Sequence, residues 1–581
     1  MKLKSILLLS AVGAIGVVCA AGVRTPNEAR VAEIAALLPE NPTGPTPYDQ
    51  AGKVDVKRGE ALLNAPVADA PDALYLEFSQ NGNRTHYQSA YGRRTGNLRK
   101  LVAAECAERQ GRFISKIAAY LAALNAQRSW VLPAHDRGLE NFNNTSITVD
   151  LVSSDVALML AEILLKLESA LPADVVAQTR AEMNRRVFSL YLADIAVKKP
   201  KNWWFYGNAN WTAVCHANCV RAALLGIADR VQRARCVEAA LRAMPVYLSG
   251  FTPDGYCSEG MGYWEYGYGH YLDLGNAIKD ATGGKVDLFK EGGDRARAAA
   301  GYPFAFQLQK NVSPRFADGG GNPSEKRRRE CAEIWPEYAA QIEGTLPIRS
   351  AFPDAQVFIS RTLGAKPFGV AVKGGHNGEF HNHNDVGTWT LMLDGQELAG
   401  DPGGEVYTAR TFSKDRYVSK VLSSFGHPVP RIAGRLQPPG RKFCGKVLKT
   451  EFAEDKDVVV LDLAGAYDVK GLTKLVRTTV FDRAGRVFTV TDDIACATPQ
   501  AFDVPLITYC DVTKGADKTS LTFTTKKGSK AAVTIAVQGG EWELQEEEIE
   551  NPGKPSPKRL AVAFAQPVAA ATVSFTLKEE K

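Results

Sequence analysis

The sequence predicts a helical domain followed by an all-β domain. Three observations carry this. From about residue 95 to 345, apolar residues recur at helical spacing. After about residue 350 the period falls to two, as in half-buried strands. Between the two lies "LPIRSAFPD", a proline-bearing stretch suited to a domain boundary. At 581 residues the chain is too long for one ordinary core, and 45% apolar with 23% charged residues is the balance of a soluble globular protein.

The amino terminus reads "MKLKSILLLSAVGAIGVVCAAG". Lys2 and Lys4 precede an apolar run from Ile6 to Val18, and small residues follow. This is the pattern of a secretory signal peptide over residues 1–21. The run is shorter than the ~20 residues of a membrane span. Val18 sits where lipidation of Cys19 needs a small residue, so a lipoprotein anchor is not expected. Export places the protein in the periplasm or outside the cell. Nine cysteines remain beyond Cys19, an odd number, with no paired CxxC. A disulfide or two is compatible with export.

The helical domain is expected over residues 22–348. Its segments include "NLRKLVAAECAERQGRFISKIAAYLAALNA", "SSDVALMLAEILLKLESAL" and "WTAVCHANCVRAALLGIADRV", with breaks at Pro, Asn, Gly or Asp. Aromatic loops recur between them: "RSWVLPAHDR", "PKNWWFYGNANW" and "FTPDGYCSEGMGYW". A barrel of helical hairpins would gather these loops at one end, lining a cleft. "LYLEFSQNGNRTHYQ" could begin this domain or form an accessory strand. "EKRRRE" at 325–330 reads as a solvated loop, and formal net charge is only +6. No basic-aromatic interleaving argues for nucleic acid.

Residues 349–581 are expected to form a β-sandwich. "FGVAVKGG", "DVVVLDLAG" and "LAVAFAQPVAAATVSFTLK" are strand-like, and "FDRAGRVF" reads as a hairpin. "GTWTLMLDGQELAGDPG" makes a second hairpin and delivers Asp401 to a turn. Just before it, three of the chain's eight histidines crowd into "HNGEFHNHND". In an extended chain His381 and His383 leave one face. Antiparallel pairing would bring Asp401 near, and His427 in "SSFGHPVP" is a further candidate. Two imidazoles and a carboxylate suit zinc. On spacing alone, these can equally be ordinary loop residues.

"HNHNDVGTWTLMLDGQELAGDPGGEVY" followed by "SSFGHPVPRIAGRLQPPG" resembles the heparinase II/III-like family of polysaccharide lyases. "NWWFYGNANWTAVCHANCVRAAL" and "DGYCSEGMGYWEYGYGHY" resemble its helical part, and the likeness runs over roughly residues 95–500. The resemblance implies an incomplete (α/α) toroid followed by an antiparallel β-sandwich. It implies β-elimination of uronate-containing polysaccharide, leaving a C4–C5 double bond. It assigns catalysis to His216, Tyr263 and His381, with Tyr266 and Tyr268 as other registers for the tyrosine. It assigns His383, Asp401 and His427 to a structural zinc. Trp204, Tyr206, Asn208, Tyr266 and Arg431 are candidate sugar-binding residues: aromatic faces suit pyranose rings, and arginine pairs with sugar acids. His216 on an Ala-rich helix also reads as a core histidine. The expected partner is an acidic polysaccharide, with a homodimer left open. A glycoside hydrolase using Asp254 and Glu259, or a non-catalytic carbohydrate-binding protein of the cell envelope, are the competing readings.

Overall fold

The computed structural model describes residues 25–49 and 56–580; the segment expected to be a signal peptide, residues 1–21, lies outside the described residues. Helices run from Glu28–Leu37 to Ala340–Glu343, and the first strand is Arg349–Phe352. The change from helix to strand thus falls between Glu343 and Arg349.

The helices pair in hairpins around one apolar core, an incomplete (α/α) toroid. Local sequence explains their ends. Asp150 caps Leu151–Leu167 in a reciprocal box with Ser153, and Asp229, Asp287 and Ser324 cap later helices. "LYLEFSQNGNRTHYQ" is helix, glycine turn and helix: Asp72–Asn81 stops at Gly82 (φ 79°), and Thr85–Glu108 follows. The long segment after Asn97 is two helices, because Arg109 turns left-handed (φ 55°) before Ile114–Asn125. "EKRRRE" is not a loop but the start of helix Glu325–Ile334, where Arg329 bonds Glu325 one turn away. Among the described residues no helix is long and apolar enough to cross a membrane. All nine described cysteines are free thiols, so the disulfide that export would allow is not formed among them.

The second domain is antiparallel throughout. Five strands, Arg349–Phe352, Val357–Arg361, Phe368–Lys373, Trp389–Leu393 and Gln396–Gly400, make one sheet in sequence order. An eight-stranded sheet packs against it through Phe368, Phe481, Trp389 and Phe488. Both expected hairpins form: Asp482 pairs with Val487, and Leu393 with Gln396 across a left-handed Asp394-Gly395 turn.

The outer strands alternate buried and half-exposed, as in Lys456–Asp462, whereas Val357–Arg361 and Phe368–Lys373 are buried at every position. The reason is the helical domain. Phe352 packs its ring among Tyr256, Tyr302 and Phe306, and Arg361 donates to the carbonyls of Ala305 and Gln307. Burying a phenylalanine this way contributes ~1.5–3 kcal/mol. This apolar seam packs the two domains against each other.

Candidate active site

The groove is built where two glycine-rich loops touch. "SEGMG" precedes helix Met261–Ala281, and "ADGGGN" follows the helix ending at Ala305. Gly319 N–H donates to the Glu259 carbonyl (3.0 Å) and Gly262 N–H to the Gly319 carbonyl (2.7 Å). A Cβ on Gly319 would lie 2.1 Å from that Glu259 oxygen, so only glycine permits the approach. The contact sets Asp318 beside Tyr263, the first outward-facing aromatic of its helix.

From the β domain, the loop carrying "FHNHND" enters the same groove. It is not extended: His381 adopts φ 53°, a left-handed conformation uncommon for a non-glycine residue. As a result His381 and His383 part company. The His381 ring stacks on Tyr263, with centroids 4.1 Å apart and planes 22° from parallel. Its Nδ1 faces Asp318 Oδ2 at 3.0 Å, and its Nε2 faces Glu259 Oε2 at 3.4 Å. Tyr407 closes the group. Its hydroxyl lies 2.8 Å from the Tyr263 hydroxyl and 3.2 Å from His381 Nδ1. With 16% of its side chain exposed, His381 is reachable from solvent.

Burial shapes the charges here. It raises Glu259 above the ordinary carboxylate range, although His381 and the Asn210 amide (2.7 Å) oppose this. It raises the Tyr263 phenol, with the Tyr407 hydrogen bond and the Arg84 cation pulling the other way. Burial would raise Asp318 too, but hydrogen bonds from His381 and His383 and the Arg416 guanidinium (2.8 Å) hold it far below its usual value.

The cavity around this group is about 860 Å³. Trp203, Trp211 and Phe412 give it apolar walls; His135, Arg84, Asn210 and Arg416 give it polar ones. The aromatic loops of the helical domain therefore do meet at one end. Trp203 is 66% exposed and packs beside Trp211.

His383, Asp401 and His427 also converge. One donor atom from each lies within 4.8 Å of the others, and all three residues are buried. His383 Nε2 is taken by Asp318 Oδ1 (3.0 Å), and His427 Nδ1 by Asp401 Oδ2 (3.1 Å). His383 Nδ1 and His427 Nε2 are buried without a partner. Two orphaned ring nitrogens beside a carboxylate fit a divalent metal of zinc's chemistry. Arg477 steadies the far side, paired with Asp492 and donating to the carbonyls of Gly387 and Pro428.

Other expected residues lie elsewhere. His216 is in the helical core: Nδ1 bonds the Tyr191 hydroxyl (2.6 Å), Nε2 faces the Phe205 carbonyl (2.9 Å), and Trp204 packs on its edge. It is fully buried, and burial lowers it to about 4. The structure does not bring it to His381, because every face of its helix turn is covered. Trp204 is buried with its indole N–H on the Val149 carbonyl (2.7 Å), so the exposed platform is its neighbour Trp203. Tyr206 is bound by Arg242 behind the groove, Asn208 is exposed outside it, and Arg431 pairs with Asp503. Tyr266 lines a smaller side cavity with Arg84 and Tyr263. Tyr268 is sealed in the core. Asp254 caps the turn at Asp354 rather than opposing Glu259.

Sequence reasoning missed Asp318, Tyr407, Asn210 and Arg84. Asp318 carried a usable signal, an acid in a run of glycines, the composition of a loop that approaches another backbone closely.

Residues 346–576 match the family model for the heparinase II/III-like C-terminal domain. No curated protein matches the chain in sequence. Among solved structures, heparinase III aligns with a TM-score of 0.65 at 13% identity, covering 96% of this chain and 85% of that one. A heparan sulfate lyase HepC mutant from Pedobacter heparinus gives 0.59 at 15% identity, covering 96% and 84%. Chondroitinase AC lyase gives 0.50 at 12% identity, covering 91% and 83%. At these identities the likeness is one of fold. The carboxyl-terminal domain of this chain is heparinase II/III-like, and the chain as a whole has the fold of the heparinase III and chondroitinase AC lyase structures.

Proposed function

We propose that the protein is a polysaccharide lyase that cleaves a uronate-containing polymer by β-elimination. The observation that carries this is Tyr263 of the helical domain stacked on His381 of the β domain, inside an aromatic-walled groove. The fold likeness to lyases named for heparan sulfate and chondroitin supports it.

The chemistry asks for three things. The proton on C5 is weakly acidic, so the adjoining carboxylate must be neutralised as charge moves into it. A base must take the proton, and an acid must give one to the departing O4. His381 and Tyr263 are the acid-base pair, edge-open to the groove. Tyr407, hydrogen-bonded to both, lets a proton pass between the His381 imidazole and the Tyr263 phenol without crossing solvent. Asn210 and Arg84 line the same cavity and supply donors for the uronate carboxylate. This is the part that His216 was expected to play. Trp203 and Trp211 offer faces for pyranose rings.

His383, Asp401 and His427 would hold a zinc ion, which would pin the loop that carries His381. Asp318 links the two sites with one carboxylate: Oδ1 orients His383, and Oδ2 orients His381. The amino-terminal pattern supports export to the periplasm or beyond, where such polymers are met.

The test is to incubate the purified protein with a panel of uronate polysaccharides, sulfated and unsulfated, and follow ultraviolet absorbance with reducing ends. Both rising together is expected. Reducing ends without absorbance would mean hydrolysis, and neither would leave only binding.

A further inference from the structure

The groove does not end at His381. Beyond Tyr263 and Tyr407 it opens into a side cavity of about 440 Å³ lined by Gly319 and Lys554. That cavity shares Asp318 and Lys554 with a third, about 640 Å³, on the far side of the Asp318 loop. The three adjoin along the domain seam, each sharing wall residues with the next, from Trp203 to the turn of strands Trp389–Leu393 and Gln396–Gly400.

The third cavity differs from the first. Its walls mix apolar residues such as Leu308 and Met392 with more polar ones: Arg315, Asn322, Glu397, Tyr509, Asn551 and Lys554. Two buried acceptor atoms there have no hydrogen-bond partner, Glu397 Oε1 and Asn551 Oδ1. Buried polar atoms left unpaired are rare and point to something absent that satisfies them. Two cations face the same space. Arg315 is exposed and makes no hydrogen bond among the described residues. Lys554 donates one N–H to the Gly404 carbonyl (2.7 Å), which leaves two of its three donors. The acids on this side are Glu397, which burial pushes up to about 8 against the pull of Arg315 and so leaves largely uncharged at neutral pH, and Asp318, which is already taken by His381, His383 and Arg416. A ligand that suits this set carries hydroxyl donors for Glu397 and Asn551 and an anionic group for Arg315 and Lys554. A sugar acid has both.

We propose that this cavity is a distal subsite holding an acidic sugar of the bound chain, its carboxylate or sulfate on Arg315 and Lys554 and its hydroxyls on Glu397 and Asn551. The inference rests on the lyase reading for the direction of the chain, though the pocket chemistry stands by itself. It makes the enzyme sense polymer length. Only a chain that runs past the catalytic pair reaches Arg315.

The probes are tetra-, hexa- and octasaccharides of hyaluronan and of heparan sulfate, the first unsulfated and the second sulfated. Affinity is read by calorimetry on the Tyr263→Phe protein, so that no probe is consumed. Arg315→Gln is the variant, since an exposed side chain can be changed without unfolding the domain. The expected result is a loss of about tenfold in affinity for the longest probe, growing with chain length and shrinking with added salt, as one lost ion pair gives. Loss with both series assigns the site to the carboxylate; loss with the sulfated series alone assigns it to sulfate. An octasaccharide bound as tightly by Arg315→Gln as by its parent, in both series, overturns the subsite and leaves the lyase reading intact. Absence of ultraviolet absorbance from the parent enzyme overturns the lyase reading instead, while the binding comparison still reports on the pocket.

Discussion

Asp318→Asn is the sharpest perturbation of the site. The carboxylate is buried and accepts from His381 and His383, each at 3.0 Å, and from Arg416 at 2.8 Å. The amide keeps the shape but offers one acceptor oxygen and turns an NH₂ toward an N–H donor. One imidazole loses its anchor, and Arg416 loses its counter-charge. Removing one partner of a buried, hydrogen-bonded pair costs about 3–5 kcal/mol. Because Arg416 retains its bonds to the Asn382 and Thr411 carbonyls, we place the loss near the lower end, about 3 kcal/mol. Two further effects should accompany it. Loss of the group that orients a metal-bound histidine weakens metal binding by about 10–100-fold. A His381 ring free to shift by an ångström costs about 100-fold in kcat. Denaturant titration, zinc competition against a chelator and initial rates of unsaturated product read the three separately. A variant that keeps parental zinc affinity and kcat, each within about twofold, would refute the idea that one carboxylate couples the two sites.

Other perturbations separate the roles. Tyr263→Phe should lower kcat by about 100–10,000-fold with the circular dichroism spectrum unchanged, since it removes one hydroxyl from an acid-base pair. Tyr407→Phe should lose less, because its hydroxyl serves the other two groups; equal losses would make Tyr407 the reacting phenol. His383→Ala should lose zinc by elemental analysis, together with thermal stability; a parent protein purified without zinc would remove that claim. His216 predicts a pH effect. Burial keeps it neutral in the fold down to about 4, whereas the unfolded chain takes up its proton near 6.5. Stability is therefore full above that pH and falls by roughly 3 kcal/mol as the pH drops to 4. His216→Gln should flatten this slope in denaturant titrations and leave elimination by the folded enzyme unchanged; a variant that folds but does not cleave would return His216 to the groove.

Much of this was legible in the sequence, and the misses have physical causes. The change of period marks the change of architecture because buried faces repeat differently in helix and strand. The two hairpins could be read because their turn residues tolerate left-handed backbone: Asp394 (φ 49°) with Gly395 (φ 75°), and Arg486 (φ 51°). His383, Asp401 and His427 could be grouped because a hairpin folds Asp401 back. The direction of a side chain within the toroid was legible only in part, since the sequence left His216 both a core and a groove reading. In "TAVCHANCV" the residues on all sides of His216 are apolar or small, which is the mark of a helix covered on every face. Trp204 and Trp203 exchange places for a related reason. In the tight Trp203–Tyr206 turn successive side chains lie about a third of a turn apart, and packing takes Trp204 and Phe205 inward and leaves Trp203 outside. Asp318 and Tyr407 could not be placed by spacing, since each is brought in by a close backbone contact between segments far apart in sequence, Asp318 by Gly319 on Glu259 and Tyr407 by Ala409 on Gly82.

The mass of the new non-reducing end tests the central claim most directly. Elimination by Tyr263 and His381 predicts an end lighter by one water than hydrolysis gives, produced by the parent and absent with Tyr263→Phe. An end of hydrolytic mass, or an unsaturated end made equally well by Tyr263→Phe, would contradict it.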